Sequence, residues 1–324
     1  KDRAKENQEH SIPSEAIPVL ERILDLEGEP TLTIRSIVGW YIQWLASLDL
    51  DWTQGQLTKI FPEEPHLRRF RDAALGGYFS VNRPDGYLFK HLRGLYTAGF
   101  EWVNESVADE DLDRPQQNFV VHAAEYYQWG LDSFDTDECL AKQLFTKGNV
   151  KVRAHTVESI GRSLETLLPV LPDHAAALER LQKLFDWRLS AITDTKLPEA
   201  EKQEEMKEFG WWFTYGQMDK TWLLERLLQV LEITGGKIEW GHKVLERLAD
   251  FIAVNGEMVA TAVDMIVRSD PAPWNIEYWK KHLGVLFAAV KASGNTKAWG
   301  VCNHTINFLG ELGYRDYGGL LTSD

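Results

Sequence analysis

The sequence predicts an all-α protein: an α-solenoid of antiparallel helix pairs stacked into a HEAT- or armadillo-like superhelix. Apolar residues recur at helical spacing along the 324 residues, and no convincing stretch alternates with the period of two that a half-buried strand needs. Short loops separate the helical patterns, so neighbouring helices must run antiparallel. Several helices are apolar over more than half of their circumference, and they need neighbours on both sides, as the inner helices of a stack do.

The clearest segment is Glu208–Arg268, where three helical patterns are separated by obvious stops. Asp219 is placed to cap the first of them, because a short side-chain oxygen accepts from the free N–H groups of a first turn. Gly235 and Gly236 end that helix, since glycine adopts the left-handed conformation of helix C-termini without penalty.

Caps and stops predict the boundaries of the other helices in the same way. Asp51 and Gln54 have the spacing of a capping pair for a short helix that ends at Phe61-Pro62. The remaining predicted helices are Ser14–Leu26, Thr31–Leu48, Glu64–Phe79, Asp85–Asn104, Gln116–Leu131, Glu138–Phe145, Val150–Leu171, Ala175–Ile192, Pro198–Trp211, one that carries Val244–Ile252 and closes near Asn255-Gly256, Met258–Val267, Ile276–Ala292 and Thr296–Leu312.

Two sequence features indicate repetition and close packing. A five-residue echo, VLERI at 19–23, ALERL at 177–181, LLERL at 223–227 and VLERL at 244–248, includes a step from Leu178 to Leu224. That step is close to the ~40–47-residue period of HEAT and armadillo repeats. Glycines that interrupt the helical patterns are expected to mark close helix packing: Gly39, Gly94, Gly99 and Gly161.

The charge argues against nucleic-acid binding. The formal net charge is −14, and the basic residues form only short clusters such as Arg68-Arg69-Phe70-Arg71 and Lys280-Lys281. Nucleic-acid binding draws on clustered Lys and Arg that release counterions from phosphates. On helices these clusters are interpreted as solvated faces, and we expect no nucleic-acid partner.

Composition and thiols indicate a cytoplasmic protein. No run approaches the roughly 20 apolar residues of a membrane span, and no secretory leader is recognised. Cys139 and Cys302 lie far apart in helical patterns, so we expect two buried free thiols, as in a reducing compartment. We expect 1–324 to form a single α-helical repeat domain that is an excerpt of a longer chain.

The sequence carries none of the common motifs for catalysis, cofactor binding or metal binding. There is no P-loop, no dinucleotide-type glycine loop, no Gly-x-Ser-x-Gly elbow and no His-Glu-x-x-His helix. Asp109, Asp111 and Asp113 imitate the first ligands of a calcium loop. However, Arg114 occupies the place of the sharp-turn glycine and Val120 that of the bidentate glutamate. We therefore interpret the segment as a solvated acidic loop and predict no enzyme activity, no cofactor and no metal.

Aromatic residues supply the candidate binding site. The chain has 13 tryptophans, and the densest aromatic cluster is Trp211-Trp212-Phe213 followed by Tyr215. Tryptophan commonly fills the gaps between helix layers. Adjacent helix positions point about 100° apart, so one core does not easily take both indoles. We predict that Trp211, Trp212 and Tyr215 bind a protein, with one of the two indoles exposed.

Three stretches of the C-terminal third carry a resemblance. They read EFGWWF at 208–213, LLE at 223–225 leading to GGKI at 235–238, and NFLGELGY at 307–314 with LL at 320–321. The pattern resembles helical C-terminal regions of large bacterial multidomain proteins, which often carry an NTPase or a Sir2-like effector upstream and act in anti-phage defence. The resemblance implies a HEAT- or TPR-like module that senses or assembles. It implies no catalytic residue.

Three functions follow as hypotheses. The first is a non-catalytic helical-repeat interaction or sensing module of a larger bacterial protein, whose partner is another protein or the upstream domain. The alternative is an (α/α) toroid that processes glycans with paired carboxylates. Its candidate acids are Asp132, Asp135, Asp137 and Glu138. The third, a HEAT-like nucleic-acid enzyme, is disfavoured by the acidity.

Overall fold

The computed structural model describes residues 12–104, 111–166 and 171–321, and within these ranges the regular elements are helices and none is a strand. This confirms the all-α prediction. The α-helices are α1 (Ile17–Leu24), α2 (Leu32–Leu48), α3 (Leu50–Ile60), α4 (Arg68–Val81), α5 (Phe89–Asn104), α6 (Arg114–Gln128), α7 (Leu140–Thr146), α8 (Val150–Thr166), α9 (His174–Asp194), α10 (Glu199–Met206), α11 (Phe209–Tyr215), α12 (Lys220–Thr234), α13 (Gly241–Leu248), α14 (Ile252–Ser269), α15 (Pro273–Ala292), α16 (Thr296–Glu311) and α17 (Gly318–Leu321).

The chain divides into two compact units, residues 1–152 and residues 153–324. This division follows the density of contacts and does not test whether either unit folds alone. The single repeat domain therefore stays a prediction.

Helices within each unit pack against the helix two positions further along the chain. In the first unit α2 packs on α4 and α4 packs on α6. In the second unit α10, α12, α14 and α16 form one such series, and α11, α13 and α15 form another. Stacked helix pairs produce this alternation, because each pair buries its apolar faces on the next pair. The packing is compatible with the predicted solenoid, which stays a prediction.

The contact between α2 and α4 depends on two glycines. A Cβ atom added to Gly39 would lie 2.0 Å from the Ala74 carbonyl oxygen, and one added to Gly77 would lie 1.9 Å from the Ser36 carbonyl oxygen. Only a residue without a side chain permits so close a backbone approach. The expected close packing thus holds at Gly39, whereas a Cβ added to Gly94 would meet nothing within 4 Å.

The predicted ends of α12 are confirmed. The Asp219 carboxylate accepts from the Trp222 N–H at 3.0 Å, and Gly235 adopts the left-handed conformation at φ 64°. The predicted stop at Asn255 is also real, because this residue leaves helical geometry inside α14 and its side chain accepts from the Met258 N–H.

Two boundary predictions are wrong. Asp49, and not Asp51, caps α3, since its carboxylate accepts from the Trp52 N–H at 2.9 Å. The single helix predicted for 198–211 is two helices, α10 and α11. At this break the Lys207 carbonyl accepts from the N–H of Gly210 at 3.3 Å and from the N–H of Glu239, which is distant in sequence, at 2.9 Å. No local stop signal in the sequence predicts the break.

The five-residue echo does not mark one structural position. Its copies at 223–227 and 244–248 lie in α12 and α13, which belong to the two different packing series of the second unit. The two expected thiols are confirmed as free and buried, Cys139 and Cys302.

Candidate functional site

Both indoles predicted for protein binding are buried, so the expectation that one of them would be exposed is wrong. Trp212 is 1% exposed, and its Nε1 donates to the Val157 carbonyl at 2.7 Å. Trp211 is 9% exposed. Gly161 of α8 explains this, because a Cβ there would lie 2.6 Å from the Trp211 Cβ and 2.8 Å from the Trp212 Cδ1. The absent side chain lets α11 lie so close to α8 that neighbouring groups cover both rings.

Other aromatic and cationic groups cover Trp211. The Trp240 ring lies 4.1 Å from it between centroids, Tyr215 stacks at 6.2 Å, and the Arg162 guanidinium lies 4.8 Å from the ring centroid. A guanidinium over an indole face is a favourable cation–π contact. Trp211 is therefore the covered base of an aromatic group that continues outward.

The group continues across successive helices of one packing series. Trp240, at the start of α13, lies 5.8 Å from His242, and His242 lies 4.8 Å from Tyr278 of α15. Exposure rises along this row, since Trp240 and His242 are half-buried and Tyr278 is 63% exposed. We call Trp211, Trp240, His242 and Tyr278 the aromatic ladder. The ladder therefore runs across α11, α13 and α15 of the second unit, from the buried Trp211 to the exposed Tyr278.

Trp240 has an unusual backbone. Its φ is 56°, a left-handed conformation that costs a bulky L-residue roughly 1–2 kcal/mol. The preceding Glu239 lies against the start of α11. Its N–H donates to the Lys207 carbonyl, and its own carbonyl oxygen lies 1.8 Å from the position of a Cβ added to Gly210. These contacts fix the loop that places the Trp240 indole against Trp211. Strained backbone of this kind is concentrated at functional sites.

The ladder is electrically neutral near neutral pH. Burial, helped by Lys243 and His282, lowers the pKa of His242 below its ordinary value, which keeps the imidazole uncharged. Burial and the neighbouring Glu165 raise the pKa of Tyr215, which keeps the phenol protonated. Lys243 on the rim pairs with Glu246 at 2.8 Å. The surface therefore offers ring faces and neutral polar edges inside a rim of paired charges.

Apart from the ladder residue Tyr278, α15 carries a second exposed ring, which the dense aromatic pattern at 211–215 does not predict. Trp274 is 74% exposed and lies one helical turn before Tyr278 on α15. Spacing by four residues places these two rings on the same face of the helix. The spacing of four residues between two aromatic side chains is the sequence signal for this exposed pair.

One of the four carboxylates predicted for a toroid enzyme, Asp132, has a structural role. Asp132 is buried, and it accepts from Arg93 at 2.8 Å and from the Leu140 N–H at 2.6 Å. It neutralises an arginine and caps α7. The other three candidates are exposed on the loop that follows it: Asp135, Asp137 and Glu138.

The acidic loop before α6 has structural uses. Asp113 forms a capping box with Gln116, and Asp111 pairs with Lys151 at 3.2 Å. Asp109 lies outside the described residues. Among the residues that the structure describes, no group of three or more His, Cys, Asp or Glu side chains is arranged to hold a metal ion.

A groove of about 320 Å³ lies between α9 and α12. Its lining includes Asp186 and Arg226, which bond to each other at 2.6 Å, and Trp222 Nε1 also donates to Asp186 at 3.1 Å. These charged groups are already partnered, so the groove presents no free charge from this pair to a ligand.

Comparisons with protein-family models, with curated proteins and with solved structures found no match. In the parts of the chain that the structure describes, no helix is both long and apolar enough to cross a bilayer.

Proposed function

We propose that this chain is a non-catalytic helical-repeat interaction or sensing module of a larger bacterial protein, and that the aromatic ladder binds its protein partner. The observation that carries the proposal is Trp240, a half-buried indole held at positive φ within a row of rings that ends at the exposed Tyr278. A strained tryptophan at the surface is costly to a protein that needs it only for packing.

The chemistry of the ladder favours a protein partner. Interface hot spots are enriched in tryptophan, tyrosine and arginine, and they lie in desolvated centres surrounded by polar rims. Trp240 and Tyr278 are the anchors in this arrangement, and Lys243 with Glu246 belongs to the rim. Trp211 and Tyr215 support the anchors from below, whereas Trp212 stabilises the fold.

The cellular setting of the proposal comes from the resemblance of the C-terminal third to bacterial anti-phage defence proteins. In that setting the partner is another protein or an upstream domain of the same chain, in the cytoplasm. No nucleic-acid partner is proposed, because the chain carries a net charge of −14 and its short basic clusters are partly paired, as in Arg71 with Glu101 and Lys280 with Asp316.

The test uses displayed random peptides selected on the whole chain, with the recovered binders then titrated against variants. Trp240→Ala and Tyr278→Ala should each weaken binding at least about tenfold, or 1.4 kcal/mol, because each removes an anchor ring. Trp44→Ala is the control, since it removes from the first unit an indole that is 59% exposed, close to the 63% of Tyr278.

Circular dichroism melting must accompany the titration, to show that each variant remains folded. Peptides that bind Trp240→Ala and Tyr278→Ala as tightly as the unaltered chain would place the binding surface elsewhere. Peptides that lose affinity only for Trp44→Ala would move it to the first unit.

A further inference from the structure

Lys207 contacts Glu239, the residue that precedes the strained Trp240 of the aromatic ladder, with both its backbone and its side chain. The Lys207 carbonyl accepts from the Glu239 N–H at 2.9 Å, and the Lys207 ammonium lies 3.3 Å from Glu239 Oε1. A backbone hydrogen bond and an ion pair therefore attach Glu239 to the break between α10 and α11.

The backbone of Trp240 is fixed on both sides. The Glu239 carbonyl fits against Gly210, where a residue with a side chain would clash with it. This carbonyl belongs to the peptide group that enters Trp240, and φ is the rotation that relates this planar group to the Trp240 carbonyl carbon. The Trp240 carbonyl in turn accepts from the Lys243 N–H at 2.8 Å, in the first turn of α13. The positive φ of Trp240 is therefore set by the Lys207 and Gly210 contacts before it and by α13 after it.

The Lys207 ammonium lies among carboxylates. It is 2.9 Å from Glu204 Oε2 as well as 3.3 Å from Glu239 Oε1. Burial, followed by repulsion from Glu239 and Glu158, raises the pKa of Glu208 to about 8. Lys207 acts on Glu208 in the opposite direction, because a nearby cation favours the ionised carboxylate. Two carboxylates that contact one ammonium lie close together, so loss of the Lys207 charge would leave Glu204 and Glu239 to repel each other.

We infer that the positive charge of Lys207 regulates the aromatic ladder: it keeps Glu239 in place, and its loss releases Trp240 from Trp211. Once Glu239 moves away, Trp240 relaxes to a negative φ, because the left-handed conformation is costly for a bulky residue. The indole then leaves the Trp211 ring, whose centroid lies 4.1 Å from its own. The effect of this release on a protein partner rests on the proposed function, whereas the release itself does not.

Circular dichroism of the whole chain tests the release. Two indoles at 4.1 Å couple their electronic transitions, and Trp240→Phe identifies the part of the spectrum that depends on Trp240. Lys207→Met should lose most of that signal, and so should Lys207→Gln, which keeps a polar side chain but not the charge. Lys207→Arg should retain the signal, because a guanidinium is always charged.

Lys202→Met is the matched control. Lys202 of α10 pairs with Glu199, three residues before it, at 2.8 Å, just as Lys207 pairs with Glu204 at 2.9 Å. Loss of this second lysine charge should leave the Trp240 signal unchanged. Thermal melting of every variant shows that the compared proteins are folded.

Titration with the peptides recovered by display connects the release to binding. The apparent dissociation constant of Lys207→Gln should rise by the inverse of the fraction of Trp240 signal that remains, about tenfold when a tenth remains. A signal lost without any change in peptide affinity would support the inference and overturn the proposed function. An unchanged signal in Lys207→Met and Lys207→Gln, or a signal lost equally in Lys207→Arg or Lys202→Met, would overturn the inference and leave the proposed function standing.

Discussion

Each unit of this protein buries a polar cluster among its helices, and the two clusters have opposite chemistry. In the first unit the cluster is uncharged. The Tyr96 hydroxyl lies 3.3 Å from the Tyr78 hydroxyl, 3.0 Å from the Tyr126 hydroxyl and 3.2 Å from His122 Nδ1. His122 Nε2 donates to the Asn82 carbonyl at 2.9 Å, and burial lowers the pKa of His122 to about 4.

In the second unit the cluster is fully ionic. Glu205 is 0% exposed, and its carboxylate accepts from Arg188 at 2.5 and 2.6 Å and from Arg153 at 2.9 Å. Glu201 supplies the second negative charge through Arg153 at 2.5 Å. Each of the two arginines thus contacts a carboxylate that compensates its charge, as a low-dielectric interior requires.

The stability of the two units should respond differently to the loss of one polar group from the buried cluster. Removing one hydroxyl from the uncharged cluster leaves partners that keep other hydrogen bonds, so the free energy of unfolding falls only by the cost of an incompletely hydrogen-bonded polar group. Removing one charge from the ionic cluster leaves the opposite charge buried without that compensation, so the free energy of unfolding falls further.

The largest expected effect is that of Glu205→Gln. Neutralising this carboxylate removes the negative charge that both Arg153 and Arg188 contact, and we expect the free energy of unfolding to fall by about 3–5 kcal/mol. Tyr96→Phe in the first unit is the comparator, with an expected loss of about 1–2 kcal/mol. Urea unfolding followed by circular dichroism measures both. Equal losses would mean that the ionic and neutral clusters do not differ in the way argued above.

The next effect tests what holds the neutral cluster in place. Gly77 precedes Tyr78, so its close approach to α2 also positions the cluster. Gly77→Ala should destabilise the protein by about 3 kcal/mol, because the new methyl group meets the backbone of Ser36 rather than a movable side chain.

Gly76→Ala is the control for this position. A Cβ at Gly76 meets nothing within 4 Å, so the change should stabilise α4 by about 0.5–1 kcal/mol through helix propensity. Thermal melts of the two neighbouring variants compare them directly. A Gly77→Ala protein as stable as Gly76→Ala would show that the crossing of α2 and α4 relaxes freely.

The smallest effect is a pH dependence of opposite sign in the two units. The folded pKa of His122, about 4, lies below its ordinary value of 6.5, so its contribution to stability is complete above pH 6.5 and is lost as the pH falls towards 4. Relative to His122→Asn, the unaltered protein should lose about 2 kcal/mol between pH 7 and pH 5. Urea unfolding of both proteins across this range measures the difference.

Glu208 in the second unit supplies the contrast. Burial, followed by repulsion from Glu239 and Glu158, raises the pKa of Glu208 to about 8. Its folded pKa lies above the ordinary value, so stability is complete at low pH and is lost as the pH rises from 4.5 towards 8. Relative to Glu208→Gln, the unaltered protein should weaken on the order of 1 kcal/mol over that range, after allowance for partial exposure. If the difference in unfolding free energy between variant and unaltered protein does not change with pH at either residue, the predicted opposite pH dependences of the two units are wrong.

Local signals in the sequence predicted most of the helices and several of their ends. Asp219, Gly235 and Asn255 act within one or two turns of their own positions, and the structure confirms each. The buried thiols were predictable for the same reason, since each cysteine lies in an apolar helical pattern. The candidate site was predictable only in part. The sequence pattern predicts Trp211 and Tyr215, which lie at the buried end of the site, but it does not predict Trp240, His242 and Tyr278.

Local patterns thus suffice to predict an all-α chain, because helix periodicity and capping depend on neighbours within a few residues. They do not predict the break between α10 and α11, where Glu239 bonds to Lys207 from a distant loop, or the burial of both indoles against Gly161, because these features depend on contacts between segments that are distant in sequence. Tertiary structure also decided that Trp40 and Trp44 remain exposed, since the exposure of a ring depends on which helix packs beside it. The helices that could pack beside a ring are distant from it in sequence, so no local pattern predicts whether the ring is covered.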